Sequence, residues 1–141
     1  DTRRLGAIMN RTIASSFGAL ALILSTAPIA GPREDLLAQY AAAAKSNGFS
    51  ATRGQILHTR NFAGGKSDTP ACTACHGKDT RGAGRTPAGK VIEAVAVSVA
   101  PTRYTDPAKV EKWFKRNCMD VLGRECTPQE KGDWLTYVIS Q

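Results

Sequence analysis

Cys72-Thr73-Ala74-Cys75-His76 is the stretch whose reading decides the fold. Two thiols three positions apart, followed at once by an imidazole, form the signature of covalent c-type haem attachment. The spacing follows from the chemistry. Each thiol adds across one haem vinyl group, and a single helical turn brings both sulfurs under one edge of the macrocycle. His76 then sits beneath the iron as the proximal ligand. A redox-active CxxC competes for the same residues, but it usually lacks the trailing His and expects a βαβ context. A zinc site would need further Cys or His at ligand spacing. Beyond the motif only His58, Cys118 and Cys126 remain.

Composition agrees with a cofactor-centred core. The chain has 141 residues, enough for one domain, and only 6% of them are aromatic. A large apolar disc at the centre would make up that deficit. With Cys72 and Cys75 committed to haem, the remaining two of the four cysteines allow one disulfide, Cys118–Cys126. Thioether attachment and a disulfide both point to an oxidising compartment such as a bacterial periplasm.

The N-terminus reads the same way. Met9-Asn10-Arg11 is a short basic start, and Ile13 to Leu24 is an apolar run interrupted by Ser15, Ser16 and Gly18. Ser25-Thr26-Ala27 or Pro28-Ile29-Ala30 offers small residues for signal peptidase, so residues 1–30 are read as upstream residues plus a secretory signal. A retained anchor is the competing reading; a membrane span wants about 20 apolar residues. Residues 31–141 form the expected haem domain. Taking Arg3, Arg4, Arg11 and Asp1 from 19 basic and 12 acidic residues leaves 16 and 11.

Along that domain the pattern is helical. Leu36, Leu37, Tyr40, Ala41 and Ala44 recur at helical spacing, predicting a helix over 32–46 that Asn47-Gly48 stops. A second helix is expected over 51–60, with Gly54 and His58 on one face. Residues 61–70 and 77–90 read as loops, the latter basic and Gly-rich. Val91 to Val99 alternates like a strand, but no partner strand is evident, so it reads as an apolar segment or short helix over the haem. Asp106 caps a further helix with Pro107 in its first turn, and Val110, Trp113 and Phe114 point inward until Gly123 ends it. Thr127-Pro128-Gln129-Glu130 is a capping box that opens a terminal helix through Ile139, with Lys131, Trp134, Leu135 and Val138 on its inner face.

The sixth iron ligand separates the functions. A pure electron carrier closes its haem with Met or His. Asn117 falls one turn beyond Trp113 on the inward stripe, whereas Met119 lies about 200° around the helix from Asn117. Only one of the two can face the iron. Asn117 as a helix-end residue satisfied by backbone is the plainer reading of the pattern. His58 is more simply a satisfied core residue than a ligand.

The stretch TRYTDPAKVEKWFKRNC (residues 102–118), the eight-residue step to Cys126, TPQEK, and DTPACTACHG with the AGK of Ala88 to Lys90 resemble the SHP family of monohaem cytochromes c. More distantly, the chain is similar to cytochrome c″ of methylotrophs. The resemblance implies an all-α, class I cytochrome c-like fold around one covalent haem c, with one disulfide. It implies Asn117 as the distal ligand opposite His76, released on reduction so that oxygen, nitric oxide or carbon monoxide binds. It implies Trp113 and Lys90 beside the haem, and a dihaem cytochrome c or membrane cytochrome b as electron donor. His58 stands where relatives carry Phe, Tyr104 where they carry Phe, and Glu93, Ala94 and Val97 where they carry a Pro-rich segment.

Two groups of basic residues complete the picture: Lys78, Arg81, Arg85 and Lys90, then Lys109, Lys112, Lys115 and Arg116. Solvated faces explain such charge, and a docking surface for an acidic redox partner is the sharper expectation. Nucleic acid is not an expected partner of an exported haem protein, despite a pI of about 9.5. A plain electron carrier with Met119 as ligand is the rival. An enzyme with its own base has no evident residue beyond His58.

Overall fold

The cap signals before residue 107 and residue 128 translate directly into the two best-defined helices. In the computed structural model, which describes residues 30–141, α4 spans Pro107–Leu122 and α5 spans Pro128–Ile139. The expected leader lies outside the described residues but for Ala30. Asp106 accepts from the Lys109 N–H at 3.1 Å, and Gly123 ends α4 in the left-handed region at φ +72. Thr127 and Glu130 form the reciprocal capping box, and Arg124 grips the Glu130 carboxylate at 2.7 and 2.8 Å.

Three helices precede them: α1 over Pro32–Ala44, α2 over Ala51–Thr59, and the single turn α3 over Thr73–His76. The α1 stop differs from expectation. Lys45, at φ 50, takes the left-handed cap position, and Ser46 N–H bonds back to the Ala41 carbonyl. The helix thus ends before Asn47-Gly48, which belong to the link into α2.

α1 and α2 both pack on α5. Glu111 on α4 joins α1 and α5: it accepts from the Tyr40 hydroxyl and, at 2.6 Å, from Lys131 Nζ. That explains a lysine on the inner face of α5. Its side chain is largely buried, and its Nζ lies over the Tyr40 and Phe114 rings while paired with Glu111. Gly54 sets the α2–α5 distance, since a Cβ there would lie 2.1 Å from the Asp133 carbonyl oxygen. Buried Asp133 locks the crossing, accepting from Ser50 N–H, both Arg53 donors and Gln129 at 2.7 to 3.0 Å. Gly54→Ala is therefore expected to lower holoprotein stability by about 1–3 kcal/mol, the usual range for overpacking. Chemical denaturation measures it, and an unchanged midpoint would show that the helices are not in contact there.

Val91–Ile92 corrects the sequence reading. These residues form strand β2, antiparallel to β1 at Gly84–Arg85, with Gly84 opposite Ile92. The partner escaped notice because it is two residues long and lies inside the Gly-rich loop. Beyond β2 the chain forms no helix over the haem. It is extended and then turns, held by Val95 and Ala96 N–H to the Thr80 carbonyl and Val97 N–H to the Val138 carbonyl.

Among the described residues no helix is long and apolar enough to cross a membrane. Cys118 and Cys126 are joined as expected. Closing that short loop stabilises the fold by about 2–3 kcal/mol on the chain-entropy account.

Candidate haem site

The attachment motif forms one helical turn, as the vinyl spacing demands. His76 N–H bonds to the Cys72 carbonyl at 3.0 Å, and Gly77 N–H to that of Thr73 at 3.0 Å. Cys72, Cys75 and His76 together line a cavity of about 840 Å³. That lies within the range of cofactor pockets, roughly 300–1,000 Å³. Its far wall is α4, which presents Val110, Trp113, Phe114, Asn117 and Val121. Lys90, Tyr104 and Trp134 also line it.

The two thiols are unpaired, and burial pushes Cys72 up to about 11 and raises Cys75 as well. A redox dithiol needs the opposite, a thiol with a lowered pKa. Zinc fares no better: among the described residues no three His, Cys, Asp or Glu side chains cluster at ligand spacing. His76 Nδ1 is buried without a hydrogen-bond partner. Burial, reinforced by His58 and Arg103, lowers the His76 pKa to about 4 and keeps the ring neutral, the form that ligates a metal. Free thiols, an imidazole with unspent polar capacity and a large apolar-walled cavity fit a covalently attached haem.

The candidates for the opposite side separate clearly. Asn117 faces the cavity, one turn from Trp113. Met119 is 47% exposed and does not line it. Trp113 meets the cavity rather than other side chains of the polypeptide core. It is 44% exposed, lies on the cavity wall, and carries Arg116 over its ring at 5.5 Å. Phe114 fills the core position instead, edge-on to Tyr40 and Trp134.

Two departures from the family pattern acquire definite partners. The Tyr104 hydroxyl donates to the Val95 carbonyl at 2.8 Å, fastening the segment after β2 to the cavity wall. Glu93 holds Arg103 there through its carbonyl, at 2.7 Å. His58 is completely buried and makes two hydrogen bonds, as a satisfied core residue should. Burial lowers its pKa, so it is neutral near pH 7. Sequence reasoning missed Asp133 and Tyr137, both buried on α5. Gly54, flagged only as sharing a face with His58, was the available sign of a tight crossing.

Comparison with known proteins gives the same picture. Residues 44–138 match a family model described as a domain of unknown function, DUF1924. The cytochrome c-type protein SHP of Cereibacter sphaeroides is 48% identical over 127 residues, covering 85% of this chain and 97% of that protein. Cytochrome c″ of Methylophilus methylotrophus is 34% identical over 93 residues, 65% of each chain. The structure of oxidised SHP, described as an oxygen-binding cytochrome c, superposes with a TM-score of 0.75 at 49% identity, covering 77% of this chain and 96% of that one. Oxidised cytochrome c″ superposes with a TM-score of 0.66 at 31% identity, covering 78% and 94%. With a CxxCH turn opening onto a haem-sized cavity and relatives matched along almost their whole length, the chain belongs to the SHP family of c-type cytochromes and carries one covalently bound haem c.

Proposed function

We propose that the chain is a periplasmic cytochrome in which His76 and Asn117 hold ferric iron, and in which reduction frees Asn117 and admits oxygen or nitric oxide. What carries the reading is the position of Asn117 on the cavity wall, set against an exposed Met119 that is not on that wall. The haem supplies an iron that accepts one electron and an axial position that a diatomic gas can take. Asn117 brings an amide oxygen, a hard neutral donor that suits ferric iron better than ferrous. Val110, Trp113 and Phe114 of α4 line the same cavity and carry no group that binds iron. The SHP relative is described as oxygen-binding, and a solution structure of cytochrome c″ as revealing the basis of haem-ligand detachment. Both descriptions support a ligand that leaves.

The electron is supplied by a partner cytochrome, a dihaem cytochrome c or a membrane cytochrome b. Lys109, Lys112, Lys115 and Arg116 on α4, with Lys78, Arg81, Arg85 and Lys90 near the attachment turn, are all exposed and support docking of an acidic partner.

The optical spectrum of the reduced protein before and after carbon monoxide tests the proposal. A high-spin ferrous form that takes up the gas rapidly is expected. A low-spin, gas-inert ferrous form would mean that a strong ligand stays bound, and the protein would then be a plain electron carrier.

A further inference from the structure

His58 sits between the helical frame and the turn that bears His76. Trp134 Nε1–H donates to His58 Nδ1 at 3.2 Å. An indole nitrogen only donates, so Nδ1 must offer its lone pair. The neutral ring then carries its proton on Nε2, which donates to the Gly77 carbonyl at 2.9 Å. Both ring nitrogens are satisfied by one tautomer.

Gly77 follows His76 directly and turns the chain out of α3 at φ +72. A helix of four residues has little stability of its own. Its exit must be held from outside, and the His58 bond to the Gly77 carbonyl does that. The clamp is anchored firmly, because α2 is fixed against α5 at Gly54 and through the Asp133 carboxylate. The His58 ring also lies 6.4 Å from that of His76, centre to centre, tilted by 31°. A phenylalanine would fill much the same space but would leave the Gly77 carbonyl and the Trp134 N–H without this partner.

We propose that His58 is a positioning residue for His76: held in one tautomer by Trp134, it clamps the peptide after His76 and so sets the orientation of the imidazole toward the iron. This rests on the reading of His76 as the proximal ligand. Groups of this kind around a metal-bound imidazole fix its orientation and basicity. A residue that merely fills space would act on stability alone.

The test uses the haem-loaded protein, reduced, saturated with carbon monoxide and photolysed, with the iron–histidine stretching band read by resonance Raman. His58→Phe is expected to displace the band. His58→Gln, which keeps an N–H donor for Gly77 and a carbonyl acceptor for Trp134, is expected to return it toward the wild-type position. A His58→Phe protein with an unmoved band and only a lower melting temperature would overturn the proposal. A wild-type protein that takes up carbon monoxide yet shows no such band on photolysis removes the ligand reading on which the proposal rests, which keeps the two failures apart. Imidazole ¹⁵N NMR of the reduced, carbon monoxide-saturated wild type needs no variant. It is expected to report a neutral His58 protonated on Nε2; protonation on Nδ1 overturns the clamp.

Discussion

Asn117→Val is expected to convert the oxidised protein from six-coordinate to five-coordinate, while the reduced spectrum stays as in wild type. The asymmetry is the point of the experiment. Asn117 is one turn from Trp113 on the cavity wall, and valine keeps its bulk but offers no donor. A residue that binds only the oxidised metal also biases the redox equilibrium. Each tenfold of ferric preference it supplies lowers the midpoint potential by about 59 mV for a one-electron couple. The variant should therefore be easier to reduce, by an amount that measures how tightly the amide holds the metal. An unchanged oxidised spectrum would remove Asn117 from the coordination sphere. It would leave Asn117 as no more than a polar residue of α4 that lines the cavity.

A second large effect is expected when both Cys72 and Cys75 are changed to alanine. The thioether links are lost, and with them the covalent hold on the cofactor. The cavity measures about 840 Å³. Without the haem, the apolar side chains that line it, among them Leu57, Val95, Val110, Phe114 and Val121, lose their packing partner, and burying one such side chain is worth about 1.5–3 kcal/mol. Small domains are stable by only about 5–15 kcal/mol. The double variant, or the wild-type chain made without haem, should therefore lack native helical circular dichroism and resist no denaturant. A folded, haem-free variant with wild-type far-ultraviolet signal would show that the helices α1, α2, α4 and α5 support themselves. The haem would then be a guest in the fold.

Much of this was legible in the sequence, and the reason is locality. Asp106-Pro107, Gly123 and Thr127-Pro128-Gln129-Glu130 specify helix ends through neighbours within a few residues, and α4 and α5 begin and end where those signals lie. The attachment turn is legible for the same reason. What escaped was held by long-range partners. Asp133 draws its donors from Ser50 and Arg53, about 80 positions away, and His58 meets Trp134 across 76. No periodicity encodes such pairs. The β1–β2 pairing failed differently: Gly84–Arg85 has no strand propensity, and its pairing comes from the turn at Thr86 to Lys90. The left-handed Lys45 was unreadable because a lysine there is uncommon, and Asn47-Gly48 offered a more conventional stop. Trp113 shares the apolar phase of α4, and the surface it meets is the cavity.

The far end of α4 is fastened on two sides. Cys118, next to Asn117, is tied to Cys126, and Asp120 receives Lys66 N–H at 2.7 Å and the Thr69 hydroxyl at 3.1 Å. A backbone held at 118 and 120 has little room to swing, so an amide leaving the metal must do so by rotating about its own side-chain bonds. Such rotations take picoseconds to nanoseconds, against microseconds or longer for moving a helix. If reduction frees Asn117 as proposed, clearing the site would take no longer than a side-chain rotation, and a slower step in gas uptake would have to lie with the electron donor.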